Sequence, residues 1–237
     1  MSKGRLNEVT KLPRLLLYKR NASPPSSAVM ILGDMLGLNF DYREPDLIKL
    51  EHRSPEFKKI NPMATILVLQ DGDVTICESH AIMKYLVNKY GGERCERLYP
   101  ADLSVRANID QLMFYDAGVL FVRLKVVALP TMLQGLTGPT KEQVADIDEG
   151  YTVLEAYLNK HSYIATDHLT IADLSVGTTT TALQSVHKLD KNRFPLSAEW
   201  LERLKGEKSF KKFNEPSVKE LSTILNVFWK KNKERIR

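Results

Sequence analysis

The chain has 237 residues, 43% of them hydrophobic and 27% charged, and a formal net charge of +5. That length allows one large or two modest domains with sizeable cores, and the charge is local: ten basic and four acidic residues fall between Lys205 and Arg237, leaving about −1 for the rest. No run approaches the roughly 20 apolar residues of a membrane span, Cys77 and Cys95 without a CxxC spacing point away from a disulfide scaffold and towards a reducing compartment, and a basic tail without interleaved stacking residues argues against nucleic acid.

Residues 1–12 are polar, lack the apolar core of a signal peptide and are expected to form a flexible extension. Leu15 to Tyr18 is an apolar run of strand length. Lys19 to Ala22 is a polar break. Ser23 then offers an N-cap, and Pro24 suits the first helical position, where its missing N–H costs nothing. A strand thus runs into a helix whose N-terminus carries a hydroxyl, in a place where unpaired N–H groups favour an anion. Two roles are open for Ser23, a simple cap or a chemical residue.

The spacing of Val29, Ile31, Leu32, Met35 and Leu36 predicts an amphipathic helix over Ser26 to Leu38, ended by Gly37. Phe40 to Arg43 alternates like a half-buried strand, and Asp46 to Lys59 is polar and helical or turn-like. Thr65 to Leu69 is an apolar strand, Asp71-Gly72-Asp73 a hairpin turn and Val74 to Cys77 the returning strand. Glu78-Ser79-His80 opens a second helix, which Gly91-Gly92 stops. Residues 13–92 are therefore expected to form a compact α/β domain. If its two strand-to-helix junctions, at Ser23 and Ser79, lie on one sheet edge, they face one crevice.

Glu93 to Ala101 is a linker, and from there the period is helical. Val105, Ile109, Leu112, Met113, Leu120, Leu124 and Val127 mark one long helix with a bend at Gly118, and Pro130 to Pro139 breaks the pattern. A second long helix runs through Val144 to Leu158. Thr170 caps a third, with Asp173 at its third position and Leu169 able to pack on Leu174. Trp200, Leu201 and Leu204 predict a short helix, and Leu221, Ile224, Leu225 and Phe228 a terminal one. The histidines show no metal-ligand spacing; His161, His168 and His187 are expected at the surface or at caps, and Thr170 and Asp173 are expected to be structural.

Taken in order and spacing, Ser23-Pro24-Pro25, Glu51-His52 with Pro55-Glu56-Phe57, Asn61-Pro62, Glu78-Ser79-His80-Ala81-Ile82-Met83-Lys84-Tyr85-Leu86, Leu98-Tyr99-Pro100, Ala117 to Phe121 and Leu169 to Asp173 resemble cytosolic glutathione transferases from about Leu12 onward. The serine and the Glu-Ser-His form resemble the insect delta and epsilon classes, epsilon above all. The resemblance implies a thioredoxin-like N-terminal domain over 13–92, an all-helical C-terminal domain over 101–237 and glutathione as co-substrate between them. It further implies a homodimer, a cytoplasmic setting and no metal.

The same resemblance makes Ser23 the donor of a hydrogen bond to the glutathione thiolate. A free thiol titrates near 8.5, and one charge-assisted hydrogen bond contributes about 1.5–3 kcal/mol, on the order of one or two pKa units. Glu78 and Ser79 would hold the γ-glutamyl end, Ile66 the cysteinyl backbone and His52 the glycine end, with His80 a further glutathione contact. Ala22, Pro25, Phe121, Leu124, Lys125 and Ala128 would line the electrophile pocket, with Leu221, Leu225 and Phe228 as lids. Dithiol redox chemistry is set aside, because Ser23 and Ser26 stand where a thioredoxin-like fold carries its redox pair.

Four departures from the family pattern bear on function. Ala64 stands where a histidine ordinarily reaches the glycine carboxylate, which weakens glutathione binding tenfold or more unless another group substitutes. Leu67 stands where the family has a cis-proline, and because a non-proline cis bond costs about 3–4 kcal/mol, a trans Ile66–Leu67 bond is expected. Ser27 replaces an arginine, and Lys125 replaces another without its planar fork. The expected activity is conjugation of glutathione to hydrophobic electrophiles. The alternative is a ligand-carrying protein on the same fold.

Overall fold

The computed structural model describes residues 15–47 and 49–236. The extension expected over residues 1–12 lies outside them. Four strands form one mixed sheet in the order β2-β1-β3-β4. Strand β1 (Leu15–Tyr18) is followed by helix α1 (Pro24–Met35) and by β2 (Phe40–Arg43), which pairs parallel to β1. A 3₁₀ turn (Glu51–Arg53) and helix α2 (Pro55–Ile60) lead to β3 (Val68–Asp71) and β4 (Val74–Cys77), and both β1 and β4 run antiparallel to β3. Helix α3 (Ser79–Tyr90) completes a thioredoxin-like domain.

The two-residue period of β1 divides its side chains between two cores. Leu15 and Leu17 enter the main core with Val29, Ile31, Ile82 and Leu86, while Tyr18 packs edge-on against Phe57 of α2 in a smaller cluster with Val68. β3 begins three residues later than the apolar run from Thr65 suggests. Thr65 to Leu67 form a loop instead, organised by buried Asn61, whose Nδ2 donates to the Thr65 carbonyl (2.7 Å) and whose Oδ1 accepts from the Met63 N–H. In that loop Ala64 has φ 53° and the Ile66–Leu67 peptide is trans, as expected without the proline. α1 starts at Pro24 and ends at Met35, two residues before Gly37 turns the chain at φ 73°.

The rest of the chain is helical: α4 (Arg94–Leu98), α5 (Leu103–Tyr115), a π turn (Asp116–Leu120), α6 (Phe121–Leu133), α7 (Lys141–Leu158), α8 (Ile171–Leu183), α9 (Pro195–Gly206) and α10 (Lys208–Ile236). The expected bend near Gly118 is this π turn. Pro130, expected to break the pattern, instead lies within α6, and α10 starts thirteen residues before Leu221 and runs through Pro216. Every side chain of α8 is buried, and its threonines are tolerated there because Thr178, Thr180 and Thr181 return their hydroxyls to carbonyls three or four residues back. α9 approaches α8 at Gly177, where a Cβ would meet Leu204 Cδ1 at 2.4 Å. α1 packs against both α8 and α10, which joins the two domains through apolar contact.

Candidate functional site

The sheet order answers what the sequence left open about the crevice. Because β1 and β4 both run antiparallel to β3, they run parallel to each other and end on the same edge. In register, Val68 pairs with Tyr18 on one side and with Cys77 on the other. The β1–α1 junction, the Ile66–Leu67 loop and the β4–α3 junction therefore meet at one end of the sheet. This is the arrangement that draws Ser23, Ile66, Glu78 and Ser79 together.

Ser23 occupies the N-cap of α1 with extended backbone (φ −121°, ψ 115°), and its carbonyl accepts the first helical bond from Ser27 N–H at 3.0 Å. Its side chain makes no capping bond, which corrects the expectation that the hydroxyl caps the helix. Half-buried and without a partner among the described residues, that hydroxyl is free to donate. Ser26 takes the local role, accepting from the Arg20 N–H. Ala22 and Pro25 flank Ser23, both half-buried.

At the second junction Glu78 is exposed and held at φ 71°, a conformation that costs a non-glycine residue of order 1–3 kcal/mol and is found where surroundings dictate it. Ser79 is buried, with its hydroxyl 3.3 Å from His80 Nδ1. The His80 ring is placed differently from the other expected contacts. Its Nε2 lies 3.0 Å from Asp116 Oδ2 and 2.8 Å from Ser175 Oγ, and the Ser175 hydroxyl also donates to Asp116. The ring thus ties α3 to the π turn and α8. Asp116 is buried, and its second oxygen has no partner among the described residues.

His52 sits in the 3₁₀ turn with its Nδ1 buried and without a partner among the described residues. Burial, and then the neighbouring Arg53 charge, hold its pKa below the ordinary histidine value, so the ring is neutral at pH 7. Cys77 is pushed the other way: burial, aided by Glu78, raises its thiol pKa. The residues expected around the electrophile separate by burial. Phe121 and Phe228 are half-buried and Lys125 is exposed, whereas Leu124, Ala128, Leu221 and Leu225 are packed into the main core.

Sequence reasoning did not single out Asp116 and Ser175. An acid in an otherwise apolar helical stretch is a visible signal for Asp116. Ser175, inside a run of small residues, carries none. Among the described residues no three His, Cys, Asp or Glu side chains cluster as metal ligands, and no helix is long and apolar enough to cross a membrane.

Residues 17–94 match the family described as Glutathione S-transferase, N-terminal domain, and residues 140–217 match Glutathione S-transferase, C-terminal domain. Over 204 residues, 85% of this chain and 93% of the relative, the sequence is 35% identical to Glutathione S-transferase 1 of Manduca sexta. The structure is similar to an epsilon-class glutathione S-transferase from the housefly Musca domestica, with TM-score 0.87 and 37% identity over 91% of this chain and 98% of the other. It is also similar to a glutathione transferase homologue from Drosophila mojavensis solved with bound glutathione, with TM-score 0.86 and 34% identity over 91% and 97%.

Proposed function

Because this chain belongs to the glutathione S-transferase family, we propose that it joins the sulfur of glutathione to hydrophobic electrophiles, in a detoxifying role in the cytoplasm. The observation that carries this reading is the free Ser23 hydroxyl at the N-terminus of α1. Ser23 donates its hydrogen bond to the sulfur, and the helix end favours the negative charge, so the thiol proton passes to solvent at a lower pH. The thiolate lone pair forms the new S–C bond. In a substitution the leaving group departs with the electrons of its own bond; in an addition, the carbanion formed takes a proton from water.

In this reading Glu78 and Ser79 hold the γ-glutamyl end, the Ile66 backbone faces the cysteinyl amide, and neutral His52 donates to the glycine carboxylate. Ala64 leaves that carboxylate one charged hydrogen bond short, so affinity for glutathione is weaker than where a histidine stands. Phe121 and Lys125, with Ala22 and Pro25, border the electrophile. The chain pairs as a homodimer through the outer face of α5, where Leu103 and Phe114 are 81% and 72% exposed. The altered loop at Ala64 and Leu67 favours a second reading, a carrier that holds apolar ligands without turnover.

Calorimetry with glutathione, followed by a conjugation assay on wild type and Ser23→Ala, separates the two. The enzyme reading expects glutathione to bind at submillimolar to millimolar concentration and Ser23→Ala to lose about tenfold or more in rate at neutral pH. Absence of binding at millimolar glutathione leaves only the carrier.

A further inference from the structure

At the β4–α3 junction His80 has a polar neighbour at each ring nitrogen, and these neighbours fix what each nitrogen can do. Nε2 lies 3.0 Å from Asp116 Oδ2 and 2.8 Å from Ser175 Oγ. The Ser175 hydroxyl spends its only proton on Asp116, so towards the ring both groups are acceptors, and the network assigns a hydrogen to Nε2. Asp116 and Ser175 are 3% and 2% exposed, on the π turn and α8, so the ring is held from two further elements. Nδ1 is the variable nitrogen. Its neighbour is the hydroxyl of Ser79, the first residue of α3, at 3.3 Å.

A bare Nδ1 accepts, and the Ser79 hydroxyl then spends its proton on the ring. With a proton on Nδ1 the bond reverses: the ring donates, Ser79 Oγ accepts, and the Ser79 hydrogen is released to a ligand. The charge that this proton brings has its counter-ion in place, since Asp116 is the only charged group in contact with the ring among the described residues. The charged groups on the elements packed around α3 are committed elsewhere or exposed. Asp34 on α1 is held by Lys212, Arg94 on α4 donates to the Met35 carbonyl, Glu96 accepts from the Ala101 N–H, and Glu93 and Arg97 are exposed. On α8, Asp173 accepts from Thr170, Ile164 and Trp200; on α3 itself Lys84 pairs with Asp110, and Tyr85, Lys89 and Tyr90 converge on Asp71. Cys77 and exposed Glu78 close the β4 end.

We propose that His80 is a positioning residue whose charge sets the polarity of Ser79, so that glutathione binds with uptake of a proton from solvent at His80 Nδ1. The inference rests on the reading above, in which Ser79 holds the γ-glutamyl end. That end carries a carboxylate, which only accepts hydrogen bonds, and a neutral ring draws the Ser79 hydrogen away from it. The imidazolium gives that hydrogen back and adds a positive charge one residue along the chain. A ligand that needs a donor and a ring that provides one only when charged favour each other, so affinity and protonation are linked.

The test is calorimetry of the full chain with S-hexylglutathione, which has no free thiol to titrate, in wild type, His80→Gln and His80→Arg. Glutamine keeps a neutral donor for Asp116 and Ser175, and arginine carries a permanent charge. Wild type should bind about tenfold tighter than His80→Gln near about pH 5.5 and equally near about pH 8.5; against His80→Arg it should be equal in acid and about tenfold weaker at the alkaline end. Glu78, His52 and the ligand amine titrate in all three proteins, so the differences belong to His80. In buffers of different ionisation enthalpy wild type should take up part of a proton on binding that both variants lack, and Ser79→Ala should abolish the wild-type advantage over His80→Gln. Should His80→Gln fail to fold, the arginine comparison and the proton count decide. Parallel pH profiles in wild type and the variants, equal proton uptake in all of them, or a wild-type pH profile unchanged by Ser79→Ala overturns the proposal and leaves the glutathione reading standing. No binding by wild type at millimolar ligand and acid pH overturns both.

Discussion

Asp173 accepts from the Ile164 N–H (2.9 Å), the Thr170 N–H (2.8 Å), the Thr170 hydroxyl (2.9 Å) and the Trp200 indole (2.9 Å), and is fully buried. Burial pushes its carboxyl above the ordinary range, and those four donors pull it back. It joins α8 to the preceding loop and to α9, a larger role than the helix-start position visible in Leu169-Thr170-Ile171-Ala172-Asp173. Asp173→Asn turns an NH₂ towards donors, and should cost about 3 kcal/mol or more, lowering Tm by about 6–12 °C in a scanning-calorimetry comparison with wild type. Ser23 shows the reverse relation between pattern and structure. Ser-Pro at a strand end identifies the N-cap correctly, but the hydroxyl is withheld from capping, because its direction depends on χ1 and on neighbours that a sequence pattern does not describe.

At the scale of elements, α6 shows why a proline need not end a helix. Pro130 removes the N–H that would reach the Val126 carbonyl, and that carbonyl takes its hydrogen bond from Gln143 Nε2 on α7 at 3.0 Å. Gln143 also accepts from the Thr140 N–H in the capping box that opens α7. Gln143→Ala removes both interactions and should cost about 1–2 kcal/mol, or about 2–8 °C in Tm. Gln143→Glu keeps the capping acceptor but not the donor to Val126, so it should lose only part of this; equal losses in the two variants would show that the Val126 bond carries the whole effect. The compensating residue is thirteen positions from the proline, so local propensity alone reads a break there. The same holds for the strand expected from Thr65: its apolar character is real, but Asn61 commits Thr65 to a loop by a side-chain bond that no period reveals.

Across the whole molecule, α10 closes the helical domain onto α1. Apart from apolar contact, the junction carries Asp34, which accepts from the Ser209 hydroxyl at 2.7 Å and Lys212 at 2.6 Å. The Lys212 and Ser209 hydrogen bonds hold its folded pKa below the ordinary 3.8. A depressed folded pKa means that stability from this group is present above the unfolded value and is lost as pH falls through the folded one. Because the pair is partly exposed, Asp34→Asn should cost only about 0.5–1 kcal/mol at pH 7 in denaturant unfolding, with wild type and variant converging as the pH falls below the ordinary 3.8 and through the folded value. A difference that persists in acid would assign the effect to packing rather than to charge.

The sequence by itself determined the two-domain architecture, the strand-to-helix junctions at Ser23 and Ser79, the trans bond at Leu67 and the family. The architecture and the junctions rest on local rules of period and punctuation that act within a few positions of each other, the trans bond on the cost of a non-proline cis peptide, and the family on motifs whose order and spacing run from Ser23 to Asp173. Only the tertiary structure decided that the two junctions share one sheet edge, that His80 turns away to Asp116 and Ser175, and that Leu124 and Ala128 are core. Those depend on strand order, side-chain direction and contacts between residues 36, 95 or more than 150 positions apart, where the free energy comes from matching surfaces and burying paired polar groups, and neighbours in sequence carry no trace of it.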